Sequence, residues 1–298
     1  AKVKVKYCGI CGSDLHEYLH GLFPQSPFGH EATGVITAVG PGVENYKEGD
    51  RVYAMTPGSY AEYTVCPQEH LIRIPDDMDW RRATVLEPLA GAAYAIDRGG
   101  VKASDTVFIA GAGPVGLMLL MGLKAMGVRT VYMSEMMENR RKKAEELGAT
   151  MVWNPLDVKG PGKIKELTDN RGVDVAIELS GAYPALRDAI RGVHKEGLVV
   201  TASYYGDQAG RVDFSREWHH NRVTLRSSMP VWECSHRSQP MWDMARLERT
   251  AVGLLEQGRL QVKPLIGARV PFERAAEAYA LLDQRPGERV KTILTYTG

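Results

Sequence analysis

From Lys2 to Tyr7 charged and apolar side chains alternate, the period-two pattern of a half-buried strand. Val35 to Val39 and Tyr60 to Val65 predict two more strands, the first closed by Gly40-Pro41-Gly42. Gly and Pro interrupt this region at short spacing, so about the first ninety residues read as short strands joined by many turns. Near Arg98-Gly99-Gly100 the pattern changes. Thr106 to Ala110 is apolar without alternation, as in a strand buried on both faces. A helix is predicted from Pro114 to Met126, a strand from Thr130 to Ser134, and a helix from Asn139 to Leu147 that Gly148 ends. Strands at Val173 to Leu179 and Leu198 to Ala202 flank a helix at Ala185 to Val193. Strands alternating with helices predict an α/β fold with a parallel, doubly wound sheet. After Pro230 come a helix from Met244 to Gln257, a strand near Leu265 to Val270, a helix from Ala275 to Leu282 and a strand from Lys291 to Tyr296. This closing segment is expected to pack back on the first region. The predicted division is therefore a discontinuous domain of residues 1–95 and 231–298, with residues 96–230 inserted as the doubly wound domain.

A chain of 298 residues, 44% apolar and 24% charged, has ample interior for such a core. Its net charge of +1 leaves no broad footprint for nucleic acid or an anionic membrane. No apolar run approaches membrane-spanning length, and the alternating start is no signal peptide. Because a strand begins at once at Ala1, native residues are expected upstream. The four cysteines, Cys8, Cys11, Cys66 and Cys234, make no disulfide framework, so a reducing, cytoplasmic setting is expected.

Gly111-Ala112-Gly113-Pro114-Val115-Gly116 is a G-x-G-x-x-G turn between the buried strand and its helix. Gly111 permits the turn, Gly113 lets the backbone approach a pyrophosphate, and Gly116 lets helix and strand pack closely. The helix N-terminus offers free N–H groups to phosphate. Glu135 ends the next strand, where an acid can accept from both ribose hydroxyls and repel a 2′-phosphate, which favours NAD over NADP. Arg140 to Lys143 form either a solvated helix face or, at Arg140, a cover for the adenine. Met136 and Met137 are placed beside that pocket, while Met118, Met121 and Met126 read as core.

Cys8-Gly9-Ile10-Cys11-Gly12-Ser13-Asp14-Leu15-His16, then Gly29-His30-Glu31, then Leu86-Glu87-Pro88 supply thiolate, imidazole and carboxylate. Such a mixed set suits a catalytic zinc site, in which a fourth position stays open. A redox C-x-x-C or half a zinc ribbon is the alternative for the cysteines, but the second pair and the thioredoxin-like layout are lacking. Taken in order with the glycine turn, these strings resemble the zinc-containing medium-chain alcohol and polyol dehydrogenases along the whole chain.

The resemblance implies a GroES-like β-rich catalytic domain beside a Rossmann domain. It implies Cys11 and His30 as zinc ligands, and Glu87 at the ligand position that is a carboxylate in sorbitol- and threonine-type members. Glu31 becomes a near-shell carboxylate able to replace the metal-bound water, and Asp14 a group that orients the site. Cys8 matches no ligand position and reads as packing. Ser13 and His16 form a proton relay, the alternative for His16 being plain exposure. Lys291 is either the basic residue that reaches the cofactor pyrophosphate or a surface lysine; Glu178 ends a core strand near where the nicotinamide edge would lie and receives no role. The four-cysteine lobe that binds a structural zinc in many relatives is absent between Met55 and Tyr63, so one zinc per chain is expected. The implied reaction moves a hydride between a secondary alcohol, such as a polyol, sugar alcohol or cyclitol, and NAD. The alternatives are a threonine-type amino-alcohol dehydrogenase, a zinc-free quinone reductase, which would lack Cys11, His30 and Glu87, and a non-catalytic member. A homodimer or homotetramer is expected. Trp218-His219-His220, His236 and Cys234 lack ligand spacing and are read as loop or surface residues, and Cys66 as a small buried hydrophobe.

Overall fold

The computed structural model describes residues 1–21, 27–158, 161–205, 212, 214–229 and 244–296. Cys234 and His236 lie outside the described residues. The chain resolves into two compact units: Ala1–Glu87 with Glu248–Gly298, and Pro88–Leu247. The first boundary falls inside a continuous helix, so the glycines at residues 99 and 100 mark that helix's end and not a border between units.

The first unit begins β1 (Lys2–Gly9), α1 (Gly12–His20), β2 (Glu31–Ala38), β3 (Arg51–Ala54), β4 (Tyr63–Val65), β5 (Leu71–Arg73) and α2 (Trp80–Ala83), and α3 (Leu86–Gly99) starts at its edge. The second unit continues β6 (Thr106–Ala110), α4 (Pro114–Ala125), β7 (Thr130–Ser134), α5 (Glu138–Glu146), β8 (Met151–Trp153), α6 (Gly162–Leu167), β9 (Val173–Glu178), α7 (Tyr183–Gly192), β10 (Val193–Thr201), the single turn α8 (His219–Asn221) and β11 (Thr224–Ser227). The chain closes with α9 (Met244–Glu256), β12 (Ile266–Pro271), α10 (Ala275–Gln284) and β13 (Lys291–Thr295).

A seven-stranded sheet of order β12-β13-β1-β2-β3-β5, with β4 also on β1, organises the first unit. Alternation along β1 sends Val3, Val5 and Cys8 inward, where they meet Ala32, Ile36, Val52, Cys66 and Leu71. Both cysteines are fully buried, and burial pushes their thiols well up, as suits packing groups. Tyr7, Cys8 and Gly9 pair with Thr295, Leu294 and Ile293, which brings the end of the chain beside its start. β4 is shorter than the alternation predicts, because the Tyr60 N–H turns aside to the Phe28 carbonyl.

Six parallel strands in the order β11-β10-β9-β6-β7-β8 form the second unit's sheet. From β6 the chain runs outward through β7 and β8, then crosses back to β9 on the other side. The reversal point beyond β6 and β9 is where open α/β sheets hold ligands. Leu117, Met118, Leu119, Leu120 and Leu123 of α4 are completely buried, so that helix is apolar all round. Met126, expected in the core, is 49% exposed because it caps α4 at its C-terminus. β10 starts five residues earlier than the apolar run, across the polar His194-Lys195-Glu196. His219 and His220 are exposed. Among the described residues no helix is long and apolar enough to cross a membrane.

Candidate metal centre and dinucleotide turn

Cys11 caps the N-terminus of α1, and the Asp14 carboxylate returns to accept from the Cys11 N–H at 3.0 Å. That carboxylate is almost fully buried and gathers three further neighbours. Oδ1 accepts from the Gly29 N–H at 3.1 Å and lies 3.6 Å from His30 Nδ1, while Oδ2 accepts from the Tyr60 hydroxyl at 2.9 Å. Burial alone would raise the Asp14 pKa, but the nearby His30 imidazole and its charge hold it below the ordinary carboxylate value. Burial likewise works to lower His30, and the adjacent Asp14 and Cys11 override it, pushing the ring up to about 12.

Glu31 begins β2 directly opposite Gly9 of β1. A Cβ on Gly9 would stand 1.9 Å from Glu31 Oε2, so only glycine lets this carboxylate cross the strand. Glu31 is completely buried, and its Oε2 accepts from Lys291 Nζ. Lys291, 3% exposed at the start of β13, also donates to the Ile10 carbonyl at 3.0 Å. Lys291 is thus no surface lysine, and its ammonium is held by a buried carboxylate. Burial works against the Lys291 charge and Glu31 restores it, so its pKa stands above the ordinary lysine value.

Cys11, His30 and Glu31 offer ligand atoms that all lie within 4.8 Å of one another, the single such group among the described residues. Glu31 Oε1 is buried there without any hydrogen-bond partner. An anionic oxygen left short of a donor beside a thiol and an imidazole is what a bound cation would complete, and this mixed donor set suits zinc. Glu87, expected as the carboxylate ligand, falls outside the group, with Glu31 in its place. The reason is chain geometry: Glu31 follows His30 directly, whereas Glu87 arrives from the first turn of α3. Its carboxyl nonetheless feels the centre. Burial first, then the negative Glu31, push it up to about 7 against the pull of His30 and Lys291. Ser13 and His16 lie three apart on α1, hence on one helix face, with Ser13 exposed and His16 partly so. Tyr60, and Tyr279 whose hydroxyl lies 3.2 Å from that of Tyr60, carry no sequence signal that would have marked them.

In the second unit Gly111 takes φ +105° at the end of β6, and its N–H donates to the Ser134 carbonyl at 2.8 Å. Gly113 caps α4 and Pro114 opens it. A Cβ on Gly116 would stand 2.1 Å from the Gly111 carbonyl oxygen, so turn and helix can close only on glycine. Val115 is half-buried beside them. Glu135, 8% exposed, accepts from the Ala112 N–H at 2.8 Å and the Met137 N–H at 2.9 Å, joining the glycine turn to the β7–α5 loop. Arg140 is half-buried on α5; its neighbour Arg141 is the arginine that braces this loop, donating to the Glu135 and Met136 carbonyls. Met136 is 52% exposed, and Met137 caps α5.

A family model described as an alcohol dehydrogenase GroES-like domain matches residues 1–76, and one described as a zinc-binding dehydrogenase matches residues 114–245. The chain is 36% identical over 243 residues to (R,R)-butanediol dehydrogenase of Bacillus subtilis (strain 168), covering 68% of this chain and 70% of that protein. It is 29% identical over 328 positions to sorbitol dehydrogenase of Halalkalibacterium halodurans, covering 99% of this chain and 91% of that one. That alignment is longer than the chain, so the relative has internal residues with no counterpart here. The crystal structure of 2R,3R-butanediol dehydrogenase from Bacillus subtilis superposes with a TM-score of 0.83 at 29% identity, over 99% of this chain and 91% of that chain.

Proposed function

Since the chain belongs to the zinc-binding dehydrogenase family with an alcohol dehydrogenase GroES-like domain, we propose that it oxidises secondary alcohols of the polyol or sugar-alcohol class at a zinc held by Cys11, His30 and Glu31. It is an oxidoreductase of the alcohol and polyol dehydrogenase type, with zinc and NAD(H) as its cofactors. One observation carries the site assignment: a thiol, an imidazole and a carboxylate with an unsatisfied buried oxygen converge in the first unit.

Bound there, zinc supplies Lewis acidity toward the alcohol oxygen, and NAD supplies the hydride acceptor. Side chains do the rest. Asp14 fixes the orientation of His30 through Nδ1. Lys291 offsets the charge of Glu31. Glu87, within the field of the same groups, is a carboxylate beside these three ligands and leaves the fourth position to the alcohol oxygen. The Ser13 hydroxyl accepts the alcohol proton as it gives its own to His16, which passes it to water. Gly111, Gly113, Pro114, Val115 and Gly116 seat the pyrophosphate, and Glu135 takes the adenosine ribose. The first unit serves as the catalytic domain and the second as the dinucleotide-binding domain. A cytoplasmic homodimer or homotetramer belongs to the same proposal, supported by the family resemblance; the mass in solution tests the assembly.

The test is a metal analysis joined to a substrate screen. Purified protein should carry one zinc per chain and reduce NAD with diols or sugar alcohols. A chelator should abolish turnover and zinc should restore it. Activity indifferent to chelation would turn the reading toward a zinc-free reductase, and activity confined to amino alcohols would turn it toward the threonine type.

A further inference from the structure

We propose that Glu178 is a positioning residue for the nicotinamide half of the cofactor, its buried carboxylate tying the loop after β9 to the segment after β10 beside the glycine turn. The inference rests on the dinucleotide reading above. Glu178 is the last residue of β9 and is completely buried. It sits in register between Ala110 of β6 and Thr201 of β10. Its Oε1 accepts from the Ser180 N–H at 2.7 Å and from the Ser180 hydroxyl. Its Oε2 accepts from the Tyr205 hydroxyl and, at 3.3 Å, from the Gly181 N–H. Burial first, then the carboxylate itself, push the Tyr205 phenol above its ordinary value, so it stays a donor near neutral pH. Tyr205 rests against Tyr183 of α7, ring centroids 5.2 Å apart.

All four of these donors are neutral, and no ion pair to Glu178 forms among the described residues. Burying a carboxylate without a cation is costly, and a fully satisfied network at such a place fixes the groups around it. Here it fixes two chain segments at once, residues 180–181 and Tyr205. The first lies against the dinucleotide turn, since a Cβ on Gly111 would stand 3.1 Å from the Ser180 nitrogen and 3.2 Å from the Leu179 carbonyl carbon. Sheet order supplies the direction. Glu135, the ribose-binding acid, ends β7 on one side of β6, while Glu178 ends β9 on the other. With the adenosine over β7 and the pyrophosphate on the turn, the remaining half of the dinucleotide must run over the ends of β9 and β10. Those are the ends that Glu178 holds.

The experiment compares NADH with ADP-ribose, which lacks the nicotinamide, on the wild type, Glu178→Gln and Tyr205→Phe, by calorimetric titration. An amide at residue 178 sets an NH2 group against donors, and Tyr205→Phe removes one donor from an otherwise intact core. The expected result is an NADH Kd raised roughly tenfold, the scale of one lost hydrogen bond to a charged group, with ADP-ribose binding unchanged. Equal weakening of both ligands, or of neither, would overturn the inference, since a purely structural role does not separate the two halves. If Glu178→Gln fails to fold, Tyr205→Phe alone decides. Failure of the wild type to bind ADP-ribose would instead remove the dinucleotide reading itself, and the inference with it.

Discussion

The Tyr60 hydroxyl donates to Asp14 Oδ2 at 2.9 Å, while the other oxygen of Asp14 faces His30 Nδ1 at 3.6 Å. A phenol from the loop before β4 therefore supports the group that faces the proposed metal ligand. Tyr279 of α10 extends the chain, its hydroxyl 3.2 Å from that of Tyr60. Tyr60→Phe keeps the ring and its packing and removes the bond. Groups that hold a ligand directly are worth about 10–100-fold in metal affinity, and Tyr60 acts one bond further out, so zinc should be lost to a competing chelator at a chelator concentration lower by about tenfold or less. Tyr279→Phe, one bond further out, should shift the same titration less. Unchanged zinc affinity in Tyr60→Phe would show that Asp14 needs no support.

Lys291 and Glu31 make a second prediction, of stability. Both are buried, and the pair is closed by the Ile10 carbonyl. Removing one partner of such a pair leaves a charge uncompensated and costs about 3–5 kcal/mol. Lys291→Met should therefore lower the urea midpoint sharply in metal-free protein. The double variant Lys291→Met/Glu31→Gln should recover a large part of that loss, because it removes both charges. A single variant as stable as the wild type would mean that the ion pair is not made in solution.

These relationships separate what a local string can reveal from what it cannot. The glycine turn is local: a handful of consecutive residues dictate Gly111, Gly113 and Gly116, and α4, β6 and β7 follow from unbroken apolar runs. Cys11 and His30 stand in short strings whose side chains name their chemistry. Lys291 and Glu31, by contrast, lie 260 residues apart, and only the antiparallel return of β13 onto β1 joins them. Tyr60 reads as one more alternating strand residue, although its hydroxyl holds Asp14. Helix α1 is hidden because its apolar face is short and its capping residues, Cys11 and Asp14, look like metal-site residues first. Glu87 fits the ligand pattern in sequence, yet the carboxylate grouped with Cys11 and His30 is the one already adjacent in the chain.

Glu135 should govern cofactor choice. Its carboxylate already accepts from the Ala112 and Met137 N–H groups, so it is fixed before any ribose arrives. Glu135→Ala removes the acceptor and the negative charge together. NAD turnover, as kcat/KM, should fall by more than about tenfold, while NADP, freed from repulsion at its 2′-phosphate, should lose less or gain. The ratio of the two specificity constants checks this, and an unaltered ratio would remove Glu135 from the ribose site.

Ser13 and His16 share a face of α1, one turn apart, directly after the Cys11 cap. Proton transfer by positioned side chains contributes about 10²–10⁴-fold to rate. Ser13→Ala should then cut kcat by about 100-fold while leaving the NADH Kd and the zinc content as they were. Ser13→Thr, which restores a hydroxyl, should recover part of the rate. His16→Ala should give a smaller loss, since water can take the proton from the exposed serine, and added imidazole buffer should repair it. Equal losses in kcat and in NADH affinity would mean that these residues shape the site rather than move a proton, and the relay would then have to be sought in other groups around the metal.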